Sequence, residues 1–164
     1  MSDGGAPADT DVEMMREAIR LAEEKMASGC GGPFGAVVAM DGRVVGRGWN
    51  RVTSTNDPTA HAEIVAIRNA CEAKGVFHLD GATLYSSCEP CPMCLAAAYW
   101  AHISRVFCAC NRTDAADAGF ADDEIYEQIA LPPPGRRLPM SELLRDEGLV
   151  AFRKWKQKED RIEY

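Results

Sequence analysis

Ala82-Thr83-Leu84-Tyr85-Ser86-Ser87-Cys88-Glu89-Pro90-Cys91-Pro92-Met93-Cys94-Leu95-Ala96-Ala97-Ala98-Tyr99-Trp100-Ala101 reads as a strand, a turn and a helix in immediate succession. Ala82 to Ser86 is a short apolar run of buried-strand character, Cys88-Glu89-Pro90 is its turn, and Cys91 to about Ala101 is the helix that follows. Cys91 and Cys94 stand at i and i+3, so one helical turn presents both sulfurs to a single ion, and the helix N-terminus favours thiolate over thiol.

The partner of this segment lies upstream. A polar loop from Asn50 to Pro58 leads into a helix beginning near Ala60 and running to about Lys74, which places His61-Ala62-Glu63 at a helix start. His61, Cys91 and Cys94 offer one imidazole and two thiolates to a borderline-soft ion, and three protein ligands leave the fourth tetrahedral position of zinc open. Zinc lowers the pKa of bound water to about 7, and Glu63 is near enough in sequence to handle that proton. The pattern H-x-E followed by P-C-x-x-C is the signature of zinc nucleobase deaminases. A closed Cys3His cage that includes Cys88 is the competing reading, a zinc-stabilised binding module without activity. It leaves Glu63 without a task, and a chain of 164 residues with 46% hydrophobic content can bury a core of its own.

Outward again, Ala36 to Met40 and Arg43 to Trp49 flank Asp41-Gly42, which predicts a β-hairpin with a type I′ turn. Before it, Thr10-x-x-Glu13 reads as a capping box, with Val12, Met15, Ile19, Ala22 and Met26 as the core face of a helix ended by Gly29. After the cysteine helix, Arg105 to Cys110 reads as a strand and Asp122 to Ala130 as a short helix. A hairpin followed by alternating strands and helices predicts an α/β fold, a three-layer α/β/α sandwich with a mixed central sheet.

One domain is expected overall, with residues 1–130 as the core and residues 131–164 as a proline hinge and a C-terminal helical segment. Leu131-Pro132-Pro133-Pro134-Gly135 reads as a stiff, extended run. Beyond it Leu143, Leu144, Leu149, Phe152 and Trp155 must dock either on their own subunit or on another. Exchange of such a segment between protomers predicts a homodimer; packing within one subunit is its rival.

The formal net charge of −7 speaks against a polyphosphate partner, which needs clustered Lys and Arg. Nucleic acid is therefore not the expected partner, and Arg153, Lys154, Lys156, Lys158 and Arg161 read as one solvated helical face among Glu159, Asp160 and Glu163. No apolar run reaches the roughly 20 residues of a membrane helix, and Met1 to Pro7 has neither a basic region nor an apolar stretch. No membrane association is expected, and the cytoplasm is. Seven cysteines, an odd number, indicate reduced thiols and metal rather than disulfides. Cys30, Cys71, Cys108 and Cys110 read as small packing residues. His78 and His102 have no motif company and read as non-catalytic.

Four blocks carry a resemblance: Gly31-Gly32-Pro33-Phe34-Gly35-Ala36-Val37, Asn56-Asp57-Pro58-Thr59-Ala60-His61-Ala62-Glu63, Ser87-Cys88-Glu89-Pro90-Cys91-Pro92-Met93-Cys94 and Thr113-Asp114-Ala115-Ala116-Asp117-Ala118-Gly119-Phe120. With them the chain resembles the bacterial guanine deaminases of the cytidine-deaminase-like superfamily, from the first helix to Tyr164. The first three blocks recur across that superfamily, tRNA adenosine deaminases and plant guanosine deaminases included; the Asp114 to Phe120 block and the C-terminal segment point to guanine.

The resemblance implies one Zn2+ per subunit on His61, Cys91 and Cys94, Glu63 as proton shuttle, and hydrolysis of a purine base, guanine, to xanthine and ammonia. It implies substrate contacts from Asn50, from Phe34 and from the backbone N–H of Ala62, with Asp122 on the amino-pyrimidine edge. Ala121 stands where close relatives often carry another Asp, which leaves Asp122 and Asp123 as alternatives. Tyr164 would close the site of a neighbouring subunit. Each residue has a structural rival: Asn50 as a loop former, Asp114 as a cap, and Trp100 as core rather than base-stacking surface. Guanosine, aminotriazines and adenosine in tRNA remain alternative substrates.

Overall fold

Asp41 and Gly42 both take positive φ (50° and 71°), the requirement of a type I′ turn, and the sheet is built outward from this hairpin. The computed structural model describes residues 8–163. Strand β1 (Gly35–Met40) pairs antiparallel with β2 (Arg43–Trp49). Val38 faces Gly46 and Ala39 faces Val44, so Val45 is the extra residue of a β-bulge. On its other side β1 pairs antiparallel with β3 (Thr83–Cys88), and β3 pairs parallel with β4 (Arg105–Cys110), giving the order β2-β1-β3-β4. The sheet is mixed, as the sequence predicts.

Strand β1 is apolar throughout because it is covered on both faces. Ala36 and Val38 join Ala62, Ala66, Leu79, Leu84 and Ala98 in one core cluster; Val37 and Ala39 join Ala18, Leu21 and Tyr85 in the other. The period of two divides the residues between the layers. Helices α3 (Ala62–Lys74) and α4 (Pro92–Trp100) supply one layer and α1 (Asp9–Ala27) the opposite one. Between β2 and α3 the loop contains a short helix α2 (Val52–Thr55), where the sequence reading has only a polar loop.

Helix α1 departs from the expected register. It starts at Asp9, and the Asp11 carboxylate accepts the Ala8 N–H at 3.0 Å; Thr10 and Glu13, the expected capping pair, lie inside the helix and are exposed. Of the expected face Ala22 is buried and Met15 packs against the core, but the buried residues are Asp11, Ala18, Leu21 and Ala22, and Val12, Ile19 and Met26 remain 36–48% exposed. The polar group that rotates the helix is Asp11 itself. Its carboxylate also accepts the Tyr85 hydroxyl at 2.5 Å and Arg105 Nη2 at 3.2 Å, so burying it leaves no carboxylate oxygen without a partner.

Gly46 and Gly48 on β2 allow α3 to approach the sheet. A Cβ on Gly48 would stand 2.1 Å from the Ala62 carbonyl oxygen and 2.4 Å from the Ala66 nitrogen; one on Gly46 would stand 2.3 Å from the Ala66 carbonyl oxygen. Backbone atoms of a helix cannot give way singly, so Gly48→Ala must displace the start of α3, which carries His61 and Glu63. We expect a loss of about 3 kcal/mol, the upper part of the overpacking range, read as a fall in the urea midpoint at unchanged m-value.

Strand β4 is one edge of the sheet and β2 the other, and Cys108 and Cys110 on β4 are exposed. The packing role expected of them is corrected accordingly: an edge strand has a neighbour on one side only. Cys30 and Cys71 are half-buried, Cys71 against the α3/α4 cluster. After β4, helix α5 (Arg112–Asp117) opens on a capping box in which Asn111 Oδ1 accepts from Thr113 and Asp114 N–H while Asp114 accepts from Asn111 N–H at 2.8 Å. Asp114 is therefore a cap, as its structural reading holds.

The chain divides into two compact units after Asp122. The second contains α6 (Asp123–Ala130), a single 3-10 turn at Pro133–Gly135 and α7 (Arg145–Gln157). The proline run is not extended throughout, a second correction: Gly135 N–H closes the turn on the Pro132 carbonyl at 2.9 Å, and Arg136 donates to the Leu131 and Ile129 carbonyls at 2.9 and 3.4 Å. These bonds occupy carbonyls that the end of α6 would otherwise leave unpaired. None of the described residues of this unit is buried; Leu143, Phe152 and Ile162 are 84%, 67% and 65% exposed. Among the described residues no helix is long and apolar enough to cross a membrane.

Candidate metal centre and active site

Two helix N-termini meet at the C-terminal end of β3. His61 is the N-cap residue of α3 and Cys91 that of α4, both in extended conformation (ψ 156° and 169°), with Pro92 at the first helical position of α4. His61 Nδ1 lies 3.5 Å from Cys91 Sγ and 3.5 Å from Cys94 Sγ. A tetrahedral zinc bonded at its usual lengths to nitrogen and sulfur sets that separation at about 3.6 Å, so His61 stands from each sulfur at the distance the ion requires. Zinc is the cofactor these residues would hold, as expected from the sequence.

The charge state of the cluster argues the same way. The Cys91 thiol is pulled down to about 4 by the Cys94 thiol that donates to it, against the opposing effect of burial and with help from His61. The Cys94 thiol is pushed up, first by that same bond and then by burial. His61 is raised by its hydrogen bond to Cys91, which outweighs its desolvation. Two sulfurs thus compete for one negative charge, and only a cation held among them makes both thiolate.

Glu63 stands beside the trio. It is buried, at 6% exposure, because the first turn of α3 faces the sheet. Ser86 Oγ donates to one carboxylate oxygen at 3.1 Å, and the Cys94 thiol lies 3.4 Å from the other. Burial raises its pKa above the ordinary carboxylate range, against the lowering effect of these bonds. A carboxyl group shifted toward neutrality is suited both to take and to give a proton. Ser86 was not singled out from the sequence. Its signal is a pair of adjacent small hydroxyls, Ser86-Ser87, at the end of a buried strand; Ser87 in turn accepts the Gly35 N–H at 3.0 Å and fixes the start of β1.

Cys88 is not part of the trio. Its buried thiol donates to the Asn111 carbonyl at 3.4 Å and is pushed up to about 11 by burial. Among the described residues the four-ligand cage of the competing reading is not assembled.

Of the other singled-out residues, Ala62 is fully buried at the first turn of α3, where backbone N–H groups have no partner four residues back. Asn50 Oδ1 accepts the N–H groups of Gly32 and Val52, each at 3.3 Å, which is its structural role. Phe34 meets Phe120 edge to face at 4.9 Å, so the turn before β1 is held against the loop after α5. Asp122 is half-buried, and its charge acts on His61. Asp123 is in the first turn of α6 and exposed. Trp100 is 67% exposed at the far end of α4 from Cys91, about 13 Å along a nine-residue helix axis, and is not brought to the metal ligands; the core reading for it is also not met. Tyr164 lies outside the described residues.

Residues 8–110 match the cytidine and deoxycytidylate deaminase zinc-binding region. The chain is 48% identical over 150 residues to guanine deaminase of Bacillus subtilis, covering 92% of this chain and 96% of that protein. It is 55% identical over 75 residues to a tRNA-specific adenosine deaminase of Agrobacterium fabrum, covering 46% of this chain and 49% of that one. The solved structure of Bacillus subtilis guanine deaminase superposes with a TM-score of 0.90 at 47% identity, covering 93% of this chain and 98% of the other.

Proposed function

The chain belongs to the cytidine and deoxycytidylate deaminase zinc-binding family, and from that premise we propose that it is a guanine deaminase, hydrolysing guanine to xanthine and ammonia. The observation that carries the reading is the buried Glu63 beside the His61, Cys91 and Cys94 trio, in a chain whose likeness to the Bacillus subtilis enzyme extends over both units rather than over the metal region alone. Bound by the trio, zinc supplies a Lewis acid that makes water a nucleophile near neutral pH. Glu63 accepts a proton from the attacking water and passes it to ring N3 as C2 is attacked. The same carboxylate then takes the proton of the new C2 hydroxyl and gives it to the exocyclic nitrogen, so that ammonia leaves and the C2 carbonyl of xanthine remains. Ser86 holds Glu63 on one oxygen and leaves the other turned toward the metal ligands.

In the same reading Asn50, Phe34 and the Ala62 N–H line the base, and Asp122 accepts hydrogen bonds from its amino edge. Asp122 is favoured over Asp123 because its charge already acts on His61. A site built around such bonds rejects analogues that leave them unpaired. The test is ammonia release from a panel of guanine, guanosine, adenine, cytosine, an aminotriazine and a tRNA anticodon stem. Guanine is expected to be turned over fastest, and Asp122→Ala to lower kcat/KM on guanine by about 10² or more while zinc stays bound. A preference for the anticodon stem or for guanosine would overturn the substrate assignment.

The proposed assembly is a homodimer in which residues 131–164 dock on the other subunit and Tyr164 closes its site. What supports it is the load of exposed apolar side chains on the second unit, Leu143, Leu144 and Phe152 among them, which water disfavours by about 25 cal/mol per Å². Inactive Glu63→Ala subunits mixed with inactive subunits truncated before Leu149 are expected to regain activity, since one heterodimer site then holds an intact Glu63 and a donated tail. A mixture that forms heterodimers and stays inactive would place the tail in cis. Seven cysteines without a disulfide among the described residues suit the reducing cytoplasm, the proposed compartment.

A further inference from the structure

His78, Asp80 and His102 converge at the other edge of the sheet from Glu63. Strands β3 and β4 run parallel, so the loops that enter them share one edge, while His61, Cys91 and Cys94 sit at the opposite end of β3. His78 and Asp80 precede β3 and His102 precedes β4. The two loops are tied by the Leu79 N–H, which donates to the Ala101 carbonyl at 2.7 Å, and by the Gly81 N–H, which donates to Ser104 Oγ at 2.9 Å. The imidazoles stack at 3.9 Å with 12° between their planes. His102 Nδ1 lies 3.2 Å from Asp80 Oδ1. One donor atom of each of the three residues is within 4.8 Å of the other two.

Two features of this cluster have no account in the packing. His78 Nε2 is buried and has no hydrogen-bond partner, although a buried ring nitrogen without one costs the desolvation of that group. His102 occupies the left-handed position after α4, at φ 55°. Its N–H bonds the Tyr99 carbonyl and that of Ile103 bonds Ala98, the bond pattern of a Schellman motif, where glycine is the usual residue and a side chain is disfavoured. The fold thus puts an imidazole where a turn prefers none, next to a second imidazole with an unsatisfied nitrogen.

We propose that His78, Asp80 and His102 form a second metal site, for a divalent transition ion with a preference for imidazole and carboxylate, distinct from the catalytic trio. Two imidazoles and a carboxylate suit Zn2+, Cu2+ or Ni2+ and contain no sulfur. A tetrahedral ion at about 2.05 Å from each donor needs them about 3.4 Å apart and close to the plane of each ring, so binding turns one imidazole out of the stack while the backbone bonds between the loops stay in place. An ion there clasps the entries to β3 and β4. It touches none of the residues placed in the deaminase site.

The test uses the full-length protein loaded with one equivalent of Zn2+ and then titrated with Co2+. A second equivalent is expected to bind with a visible spectrum free of thiolate-to-cobalt charge-transfer bands. His102→Asn retains a residue tolerant of the left-handed conformation, and Asp80→Asn changes only a charge. Each is expected to weaken the second equivalent by at least about ten-fold while the first zinc and deaminase turnover remain. His78→Gln serves as the third variant. Wild-type protein that takes up no second equivalent at millimolar Co2+ overturns the proposal, as does unchanged uptake by His102→Asn and Asp80→Asn. A second equivalent that shows thiolate bands would place the ion on exposed cysteines instead and overturn it as well.

Discussion

Glu63→Ala is expected to purify with its full equivalent of zinc and to turn over guanine about 10² to 10⁴ more slowly than the parent protein, the range for a positioned proton-transfer group. In free energy this is about 2.7 to 5.5 kcal/mol of transition-state stabilisation. Zinc stays because Glu63 is not one of the three residues whose donors converge. Turnover falls because no other carboxylate lies within hydrogen-bonding distance of Cys94 or Ser86 among the described contacts. Glu63→Gln sharpens the test. It keeps the acceptor for Ser86 Oγ and the volume in a fully packed position, so its loss reflects proton transfer alone. Metal analysis and kcat on the same preparations decide the matter: wild-type turnover in either variant would remove Glu63 from the mechanism, and loss of zinc would make it a metal-positioning group.

Much of this site was legible because its chemistry is local in sequence. His61-Ala62-Glu63 and Cys91-Pro92-Met93-Cys94 each open a helix, and a helix start fixes the relation of neighbouring side chains within one turn. The hairpin was equally legible, since Asp41-Gly42 must adopt positive φ and the strands on either side follow from it. What was not legible depends on partners distant in the chain. The rotation of α1 is set by Asp11, which is buried only because Tyr85 and Arg105, both far away in sequence, come to its carboxylate. Periodicity alone favours Val12 and Ile19 on that face and cannot see those partners. Ser86 is a similar case: a serine in a buried strand has meaning only once Glu63 is found opposite it. Cys108 and Cys110 read as core because an apolar strand has the same sequence whether central or at an edge, and the order β2-β1-β3-β4 decides which it is.

The largest effect is expected from the ligands themselves. Cys91→Ala should hold well under one zinc per chain and lose more activity than Glu63→Ala, because it removes the Lewis acid as well as the geometry on which Glu63 acts. Cys94→Ala should do the same, while Cys88→Ser keeps its zinc and its turnover, since the Cys88 thiol is occupied by the Asn111 carbonyl and a fourth sulfur ligand would close the open position. Zinc-to-protein ratio and turnover measured on the three variants separate these outcomes; loss of metal from Cys88→Ser would restore the structural-cage reading. The pH dependence of zinc uptake follows from the same pair of sulfurs. Without the ion Cys91 is already ionised, its thiol lowered to about 4, and Cys94 carries the proton, its thiol raised. Binding must therefore expel the Cys94 proton, so affinity rises with pH by about ten-fold per unit. Below the range in which His61 titrates, itself raised by Cys91, a second proton must leave and the slope steepens toward about a hundred-fold per unit. An affinity flat in pH across the neutral range would mean that both sulfurs are already thiolate before the ion arrives, contrary to the hydrogen bond by which Cys94 lowers Cys91.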